Sequence, residues 1–187
     1  MIIGITGTMG AGKDEAAKYF MKLGFAYHQC SDIIRKQCMK KGIPLTLENL
    51  TDQSNELRKQ HGPGIFARII LERIKALDEQ NSLVIGIRNP AEIEELKKQG
   101  NFVLIAVDAP VETRYERTQH RAREDDKLGF DEFRDIEQRQ RSGTDSNAQQ
   151  LDKTISMADF KIINDGSIKD LHEKLDDLMD YLRRGKK

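Results

Sequence analysis

The first residues with the types and spacing for chemistry form a glycine-rich run near the amino terminus. The run consists of Gly7, Thr8, Met9, Gly10, Ala11, Gly12 and Lys13, and it matches the spacing G-x-x-x-x-G-K. Glycines permit the positive-φ turns that let backbone N–H groups surround phosphate oxygens, and the lysine neutralises the β- and γ-phosphates. Such turns also occur without a ligand, but here a strand-like run precedes the motif and a helix-like run follows it. The pattern therefore predicts a binding site for the phosphates of a nucleotide.

An acid, Asp14, stands where this motif usually has the serine or threonine that ligates Mg²⁺. A carboxylate beside a polyphosphate is repelled unless a cation lies between them. Either Asp14 holds Mg²⁺, directly or through water, or it turns away and stabilises the helix N-terminus by about 0.3–1 kcal/mol. We favour the metal role, because Mg²⁺ prefers hard oxygen ligands.

A stripe of arginines follows much later in the chain. Arg114, Arg117 and Arg121 are three and four residues apart, so they share one face of a predicted helix. Such a stripe suits a lid that brings arginines onto a transferring phosphoryl group, although neighbouring acids could also make it a neutralised solvent face. Arg123 and a second group are weaker candidates for the same role. The second group is Arg134, Arg139 and Arg141.

Candidates for binding an acceptor follow the second and third predicted strands. Asp32 lies where it could take a proton from an acceptor oxygen or hold a metal-bound water, and Arg35 is expected on the same helix face. Arg88 directly follows a buried strand, and arginine binds phosphate bidentately. Arg58 and Arg68 are further candidates, each also explicable as a solvated surface residue.

Composition limits the other function classes. The 187 residues carry 31 Lys and Arg against 31 Asp and Glu, a balance that disfavours nucleic-acid and membrane-surface binding. Neither a signal peptide nor an apolar run of about 20 residues is present, so we expect a cytoplasmic protein with no membrane partner. Cys30 and Cys38 have neither zinc nor redox spacing and are expected to be reduced thiols.

Strand-like and helix-like runs alternate along the whole chain. The predicted strands are residues 1–6, 25–30, 82–87, 101–108 and 158–165, with helices between them and a final amphipathic helix after residue 166. Asp108, at the end of the fourth strand, is expected to cap the next helix, and residues 142–153 are expected to be a loop. This alternation predicts an α/β fold with a mostly parallel sheet and helices on both faces.

Taken together, these segments resemble the P-loop nucleoside-monophosphate-kinase superfamily, in particular its branch related to adenylate kinase and dephospho-CoA kinase. The matching segments are GITGTMGAGKD, SDIIR, NELRKQHGPGIFA, VIGIRNPAEIEEL, RYERTQHRAREDD with FRDIEQRQ, and ADFKIINDGSIKDL. The GKD variant of the loop also resembles some phage deoxynucleoside-monophosphate kinases and animal-type phosphomevalonate kinases. Branch members often read IDGIR where this chain reads VIGIR, so the acceptor cannot be transferred by analogy.

The resemblance implies a P-loop three-layer αβα sandwich with a five-stranded parallel sheet, ATP as donor, Mg²⁺, and one domain over residues 1–187. It places an acceptor-binding insertion at about 31–79 and a lid at about 112–150. Residues Gly7 to Asp14 and Arg114 would bind ATP, and Lys13, Asp32, Arg117 and Arg121 would be catalytic. Asp32, Arg35 and Arg88 would bind the acceptor, Asp14 the metal, and Asn164 and Gly166 would lie near the adenine.

The activity expected from this reasoning is transfer of phosphate from ATP to a small phosphorylated metabolite, with a nucleoside or deoxynucleoside monophosphate as the leading acceptor. Two alternatives stay open: a dephospho-CoA-kinase-like activity, and a nucleotide-binding switch or regulatory ATPase without a small-molecule acceptor. The chain is expected to act as a monomer or homodimer.

Overall fold

The computed structural model describes residues 1–121 and 128–184, and in these ranges strands and helices alternate. The strands are β1 (Ile2–Thr6), β2 (Ala26–Gln29), β3 (Ser82–Ile85), β4 (Phe102–Asp108) and β5 (Phe160–Ile163). The helices are α1 (Lys13–Lys22), α2 (Cys30–Lys40), α3 (Leu47–His61), α4 (Ile65–Ala76), α5 (Pro90–Lys97), α6 (Val111–Arg121), α7 (Phe130–Arg141), α8 (Leu151–Ser156) and α9 (Ile168–Arg184).

The five strands form one parallel sheet in the order β2-β3-β1-β4-β5. The first strand of the chain is therefore central, with Ile3 in register with Leu83 on one side and Val103 on the other. This result confirms the predicted five-stranded parallel sheet. Because β1 lies between β3 and β4, the chain reverses its direction of winding beside β1, and parallel sheets bind ligands at the carboxyl ends of strands at such a point.

Both faces of the sheet are buried by helices, as the continuous apolar strands predicted. Side chains alternate between the two faces along a strand, so Ile3 and Ile5 pack with Phe20 of α1 and Leu175 of α9. On the other face, a second core joins the sheet to α4 and α5; its members include Ile2, Val84, Phe66, Ile70, Ile93 and Leu96. The result is the three-layer αβα arrangement.

Several boundaries differ from the sequence predictions; β3 and β5, for example, end at Ile85 and Ile163, before the predicted ends. Strand β2 ends at Gln29, and helix α2 begins at once with Cys30, which was predicted to belong to the strand. Helix α8 begins inside the segment predicted to be a loop, with Leu151 and Thr154 buried. A helix this short is stabilised by tertiary packing rather than by its own propensity, and its sequence pattern is correspondingly weak.

In the ranges 1–121 and 128–184, none of the helices combines the length and the apolar character that crossing a bilayer requires.

Candidate functional site

A cleft of about 340 Å³ lies at the carboxyl ends of β1, β2 and β3. One wall is the P-loop, residues 7–13, with the first turn of α1. The other side of the lining comes from α2, α3 and the end of β3, and α6 contributes Arg117, Thr118 and Arg121. The cleft thus lies where the topology predicted a ligand site.

The P-loop closes tightly on the neighbouring strand. Gly7 has a φ of 137°, and a Cβ atom built there would lie 1.9 Å from the backbone oxygen of Val107 in β4. Only glycine fits a backbone that approaches another strand so closely. The N-cap of α1 is Gly12, which has no side chain to cap the helix, so the first-turn N–H groups have no side-chain acceptor from their N-cap. Such a helix end is suited to anion binding.

The second P-loop residue is fixed by the strand beside it. Thr8 is fully buried and donates a hydrogen bond of 2.5 Å from its hydroxyl to Asp108 Oδ1 at the end of β4. The same carboxylate oxygen accepts the backbone N–H of Ala109. Asp108 was expected to cap a helix, and the structure corrects this expectation: the carboxylate anchors the P-loop to β4.

Lys13 is folded back onto the loop that contains it. Its Nζ atom donates to the backbone oxygens of Gly7 at 2.9 Å and Thr8 at 2.5 Å. Burial, together with the positive charge of Arg88, lowers the pKa of Lys13 from 10.5 to about 7, whereas Asp14 acts in the opposite direction. A bound phosphate group would place negative charge beside the Lys13 ammonium group and would raise the pKa of Lys13 toward its ordinary value.

Asp14 and Glu15 are the carboxylates that line the cleft within the described residues. Both lie in the first turn of α1, directly after Lys13. No group of three or more histidine, cysteine or acidic side chains in the described chain could hold a metal by itself. Mg²⁺ is usually held by one or two carboxylates, phosphate oxygens and water, so the position of Asp14 fits a metal brought in with the nucleotide.

The start of α2 forms part of the other side of the cleft. Cys30, Ser31, Ile34 and Arg35 line it. Asp32, predicted to be catalytic, is exposed and lies outside this lining. Because α2 begins at Cys30 without a connecting loop, each residue is turned by about 100° from the last, and the cleft face includes Ser31 and Arg35 but not Asp32.

Arg88 and Arg58 line the cleft and are held by buried partners. Arg88 Nη1 donates to Gln140 Oε1 at 2.7 Å and to Gln149 Oε1 at 2.9 Å. Arg58 is 1% exposed and contacts Glu92 Oε1 through Nε at 3.0 Å and Nη2 at 2.8 Å.

Arg68, the weaker acceptor candidate, lies outside the cleft. It contacts the backbone oxygen of His61 and forms an ion pair with Glu95.

The arginine stripe of α6 divides into two parts. Arg117 and Arg121 line the cleft. Arg114 does not line it: this residue is 3% exposed and forms a bidentate ion pair with Glu137 of α7, at 2.5 and 3.0 Å. The predicted role of Arg114 in the lid is therefore replaced by a structural one, in which its Nη1 also donates to the Met9 backbone oxygen at 3.3 Å.

Three further candidates are Asn164, Arg141 and Arg123. Arg117 Nη1 donates to the backbone oxygen of Asn164 at 3.0 Å, and Asn164 Nδ2 donates to the Ala11 oxygen at 2.9 Å, so Asn164 contacts the P-loop, and its place near the adenine stays a prediction. Arg141 pairs with Glu137 and Asp152 outside the cleft lining. Arg123 lies outside the described residues.

Several uncharged polar residues of the cleft were not predicted from the sequence; Thr118 of α6 is one of them. Ser31, Thr51 and Gln149 line the acceptor side, and Gln29 lies at the end of β2. Ser31 could have been found, because it precedes Arg35 by one helical turn. No sequence pattern indicates a role for Gln149, because it lies 61 residues along the chain from Arg88, whose side chain it contacts.

Comparison with known proteins agrees with this architecture. The AAA_18 family, described as an AAA domain, matches residues 3–141. A UPF0200 protein of Pyrococcus abyssi is 36% identical over 172 residues, which cover 89% of each chain.

Two solved structures show the same fold. The crystal structure of TT1252 from Thermus thermophilus has a TM-score of 0.63 and 20% identity and covers 97% of both chains. Shikimate kinase from Aquifex aeolicus has a TM-score of 0.52 and 18% identity and covers 99% of both. The P-loop implies nucleotide binding and the fold is that of small-molecule kinases, whereas the nucleoside-monophosphate-kinase branch stays a prediction. The chain belongs to the UPF0200 family of P-loop proteins with an AAA_18 domain.

Proposed function

We propose that this protein transfers the γ-phosphoryl group of ATP to a small phosphorylated metabolite, with a nucleoside or deoxynucleoside monophosphate as the leading acceptor. One observation carries the proposal: a single cleft connects the P-loop lysine, Lys13, with two further arginines, Arg35 of α2 and Arg88 in the turn after β3. A nucleotide switch needs only the lysine. Two anion-binding groups in one cleft are what a donor and a phosphorylated acceptor require.

The charge of the cleft supports an anionic acceptor. Six basic side chains and two acidic ones line it among the described residues. The acidic pair, Asp14 and Glu15, lies on the P-loop side, so the acceptor wall is basic. Arginine binds phosphate through a planar fork of donors, and in a cleft this interaction is screened less than at the surface.

The missing base favours a phosphate acceptor over a hydroxyl acceptor. An alcohol must lose a proton as it attacks, and kinases for alcohols supply a general base. Among the described residues that line the acceptor wall there is neither a carboxylate nor a histidine, because Asp32 lies off the cleft. A phosphomonoester has a second pKa of about 6, so its oxygen is already ionised at pH 7 and needs no base. The dephospho-CoA-like alternative, which needs a hydroxyl acceptor, is therefore the second candidate.

Arg117 and Arg121 would complete the site from α6. Both line the cleft, and Arg121 lies within 3.5 Å of Asp14 in the first turn of α1, beside the P-loop lysine. Arginines in this position stabilise the transition state in phosphoryl transfer. Mg²⁺, when bound, would neutralise the β- and γ-phosphates. Asp14 is the residue that would help to hold it.

The test is acceptor-dependent formation of ADP. The protein would be incubated with ATP and Mg²⁺ and with one acceptor at a time: ribonucleoside monophosphates, deoxynucleoside monophosphates, dephospho-CoA and phosphomevalonate. We expect turnover with a phosphorylated acceptor and only slow ATP loss without one. Lys13→Met should abolish turnover, and Lys22→Met, the same change at an exposed position of α1, should not.

Two results would contradict the proposal. ADP formation at the same rate with and without every acceptor would indicate an ATPase or switch. Turnover with dephospho-CoA but no monophosphate would indicate a hydroxyl acceptor and would contradict the argument from the missing base.

A further inference from the structure

Two glutamines from the segment between β4 and β5 converge on one guanidinium nitrogen. Gln140 of α7 and Gln149, which precedes α8, both direct Oε1 at Arg88 Nη1. Gln140 is 1% exposed and Gln149 is 4% exposed, although glutamine is mostly found at protein surfaces. Burial of two amides costs free energy unless their polar groups are paired, so their partners need an explanation.

The partners of the two amide nitrogens lie on α3. Gln140 Nε2 donates to Thr51 Oγ1 at 3.2 Å, and Gln149 Nε2 donates to Ser54 Oγ at 2.9 Å. Each amide therefore bridges a hydroxyl on α3 and Arg88 at the end of β3.

The direction of these bridges is fixed by the hydroxyl protons. Thr51 donates its proton to the Leu47 backbone oxygen, and Ser54 donates its proton to the Thr51 backbone oxygen. With its proton already donated, each hydroxyl can only accept a hydrogen bond from the glutamine side chain. The glutamine must therefore direct its amide nitrogen at α3 and its amide oxygen at Arg88. The helix backbone thereby orients two amide dipoles toward one cation.

The backbone of this segment is also tied to the end of β3. Asn89 Nδ2 donates to the backbone oxygens of Ser146 and Ala148, at 2.7 and 2.9 Å, and Gln150 N donates to the Arg88 oxygen at 2.8 Å. The glutamines are thus held in place by the same turn that presents Arg88 to the cleft.

We propose that Gln140 and Gln149 are positioning residues that set the orientation of Arg88 toward an anionic acceptor. The inference rests on the proposed function for the identity of the ligand, but the orientation of Arg88 can be tested without it. Neutral amides suit this task because they hold a guanidinium without cancelling its charge, as a carboxylate would.

The first experiment measures the mobility of Arg88. Rotation of its guanidinium group would be followed by NMR on protein labelled with ¹⁵N-arginine, with the signal assigned from its loss in Arg88→Lys. Gln140→Met and Gln149→Met keep the side-chain length and remove the amide. We expect either change to speed rotation by about tenfold, the effect of one hydrogen bond to a charged group. The matched control is Gln138→Met, on the exposed side of α7.

The second experiment measures anion binding by calorimetry, with inorganic phosphate as the probe. The P-loop would first be saturated with a β,γ-imido analogue of ATP and Mg²⁺, so that phosphate is confined to the acceptor side. Gln140→Met should weaken phosphate binding by about tenfold, while binding of the ATP analogue stays at the wild-type level. Gln140 is the cleaner variant because, unlike Gln149, it does not line the cleft.

The outcomes separate this inference from the proposed function. Unchanged rotation of Arg88 in both variants would overturn the positioning role, whatever the acceptor is. Faster rotation with unchanged phosphate affinity would show that the glutamines only pack the interior, and would also overturn it. Failure of the wild-type protein to bind phosphate would overturn the phosphorylated acceptor, while the rotation rates would still decide whether the glutamines orient Arg88.

Discussion

The carboxylate of Asp14 and the guanidinium of Arg121 form an ion pair in the lining of the cleft, with Oδ2 and Nη1 3.5 Å apart. The two side chains are 38% and 30% exposed, and an ion pair of this length and exposure contributes little to stability. A nucleotide with its metal would offer both groups stronger partners: the cation for Asp14 and phosphate oxygens for Arg121. The contact therefore favours a role for both residues in ligand binding.

Replacing Asp14 tests its part in the metal site. Asp14→Asn should raise by about tenfold the Mg²⁺ concentration needed for half-maximal tightening of ADP binding, because one anionic oxygen ligand is lost. The measurement is calorimetric titration of ADP at a series of Mg²⁺ concentrations. Glu15→Gln is the control, because it removes the neighbouring charge from the same helical turn. An unchanged Mg²⁺ requirement in Asp14→Asn, or an equal increase in both variants, would exclude a specific metal role.

Replacing Gly7 tests the close approach of the P-loop to β4. Gly7→Ala should destabilise the protein by several kcal/mol, because the new Cβ would overlap the Val107 oxygen in addition to the strain of the backbone. Gly24→Ala is the control: Gly24 has a φ of 87° but no atom within 4 Å of the built Cβ. We expect Gly24→Ala to cost only about 1–2 kcal/mol. Urea unfolding measures both, and equal losses would show that the contact with β4 is not the determinant.

The lowered pKa of Lys13 predicts that nucleotide binding takes up a proton. With a pKa of about 7, Lys13 is largely neutral at pH 8 in the free protein. Bound phosphate favours the ammonium form and raises the pKa, so binding consumes a proton and affinity falls as the pH rises above 7. ADP is fully ionised at pH 8, since phosphate has its second pKa near 6.

Calorimetry of ADP binding at pH 8, in two buffers with different ionisation enthalpies, gives the number of protons taken up. We expect most of one proton for the wild-type protein and for Lys22→Met. Arg88→Met should reduce the uptake, because Arg88 is one of the charges that lower the Lys13 pKa. Zero uptake in the wild-type protein would mean that Lys13 is already charged before the nucleotide binds.

The features that sequence reasoning found depend on residues close together in the chain. The P-loop is contiguous, and β1, β3 and β4 are short apolar runs whose burial follows from their composition alone. The five-stranded parallel sheet could therefore be predicted. Helix α8 could not be predicted. It has only six residues, and its stability comes from burial of Leu151 and Thr154 rather than from its own sequence.

The features that sequence reasoning missed depend on partners far away in the chain, or on the position at which a helix begins. Asp32 was predicted to face the cleft, but α2 begins at Cys30, a residue that had been assigned to the strand. Each helical residue is turned by about 100° from the last, and Asp32 consequently points away from the cleft. The spacing of Arg114, Arg117 and Arg121 predicted a shared face, but only the fold shows that Glu137 binds the first of them. Uncharged Gln149 leaves no pattern from which its contact with Arg88 could be inferred.

The ion pair of Arg58 and Glu92 yields a prediction about stability. Both side chains are almost completely buried, and Glu92 Oε2 also accepts the backbone N–H groups of Arg88 and Asn89, at 2.8 and 3.2 Å. Arg58→Met should cost about 3–5 kcal/mol, because it leaves an uncompensated carboxylate inside the protein. Urea unfolding measures the loss. The matched control is Arg68→Met, at an exposed ion pair with Glu95, for which we expect about 0–1 kcal/mol.

The double variant Arg58→Met/Glu92→Gln separates the buried charge from the geometry of the turn. A neutral amide at position 92 needs no cation, so the double variant should be more stable than Arg58→Met alone. It should not regain full stability, because a neutral amide oxygen accepts the two backbone N–H groups of the turn less strongly than the carboxylate oxygen Oε2 does. If the double variant is no more stable than Arg58→Met, the loss comes from packing of the Arg58 side chain against Phe66, whose ring centre lies 4.9 Å from the guanidinium carbon.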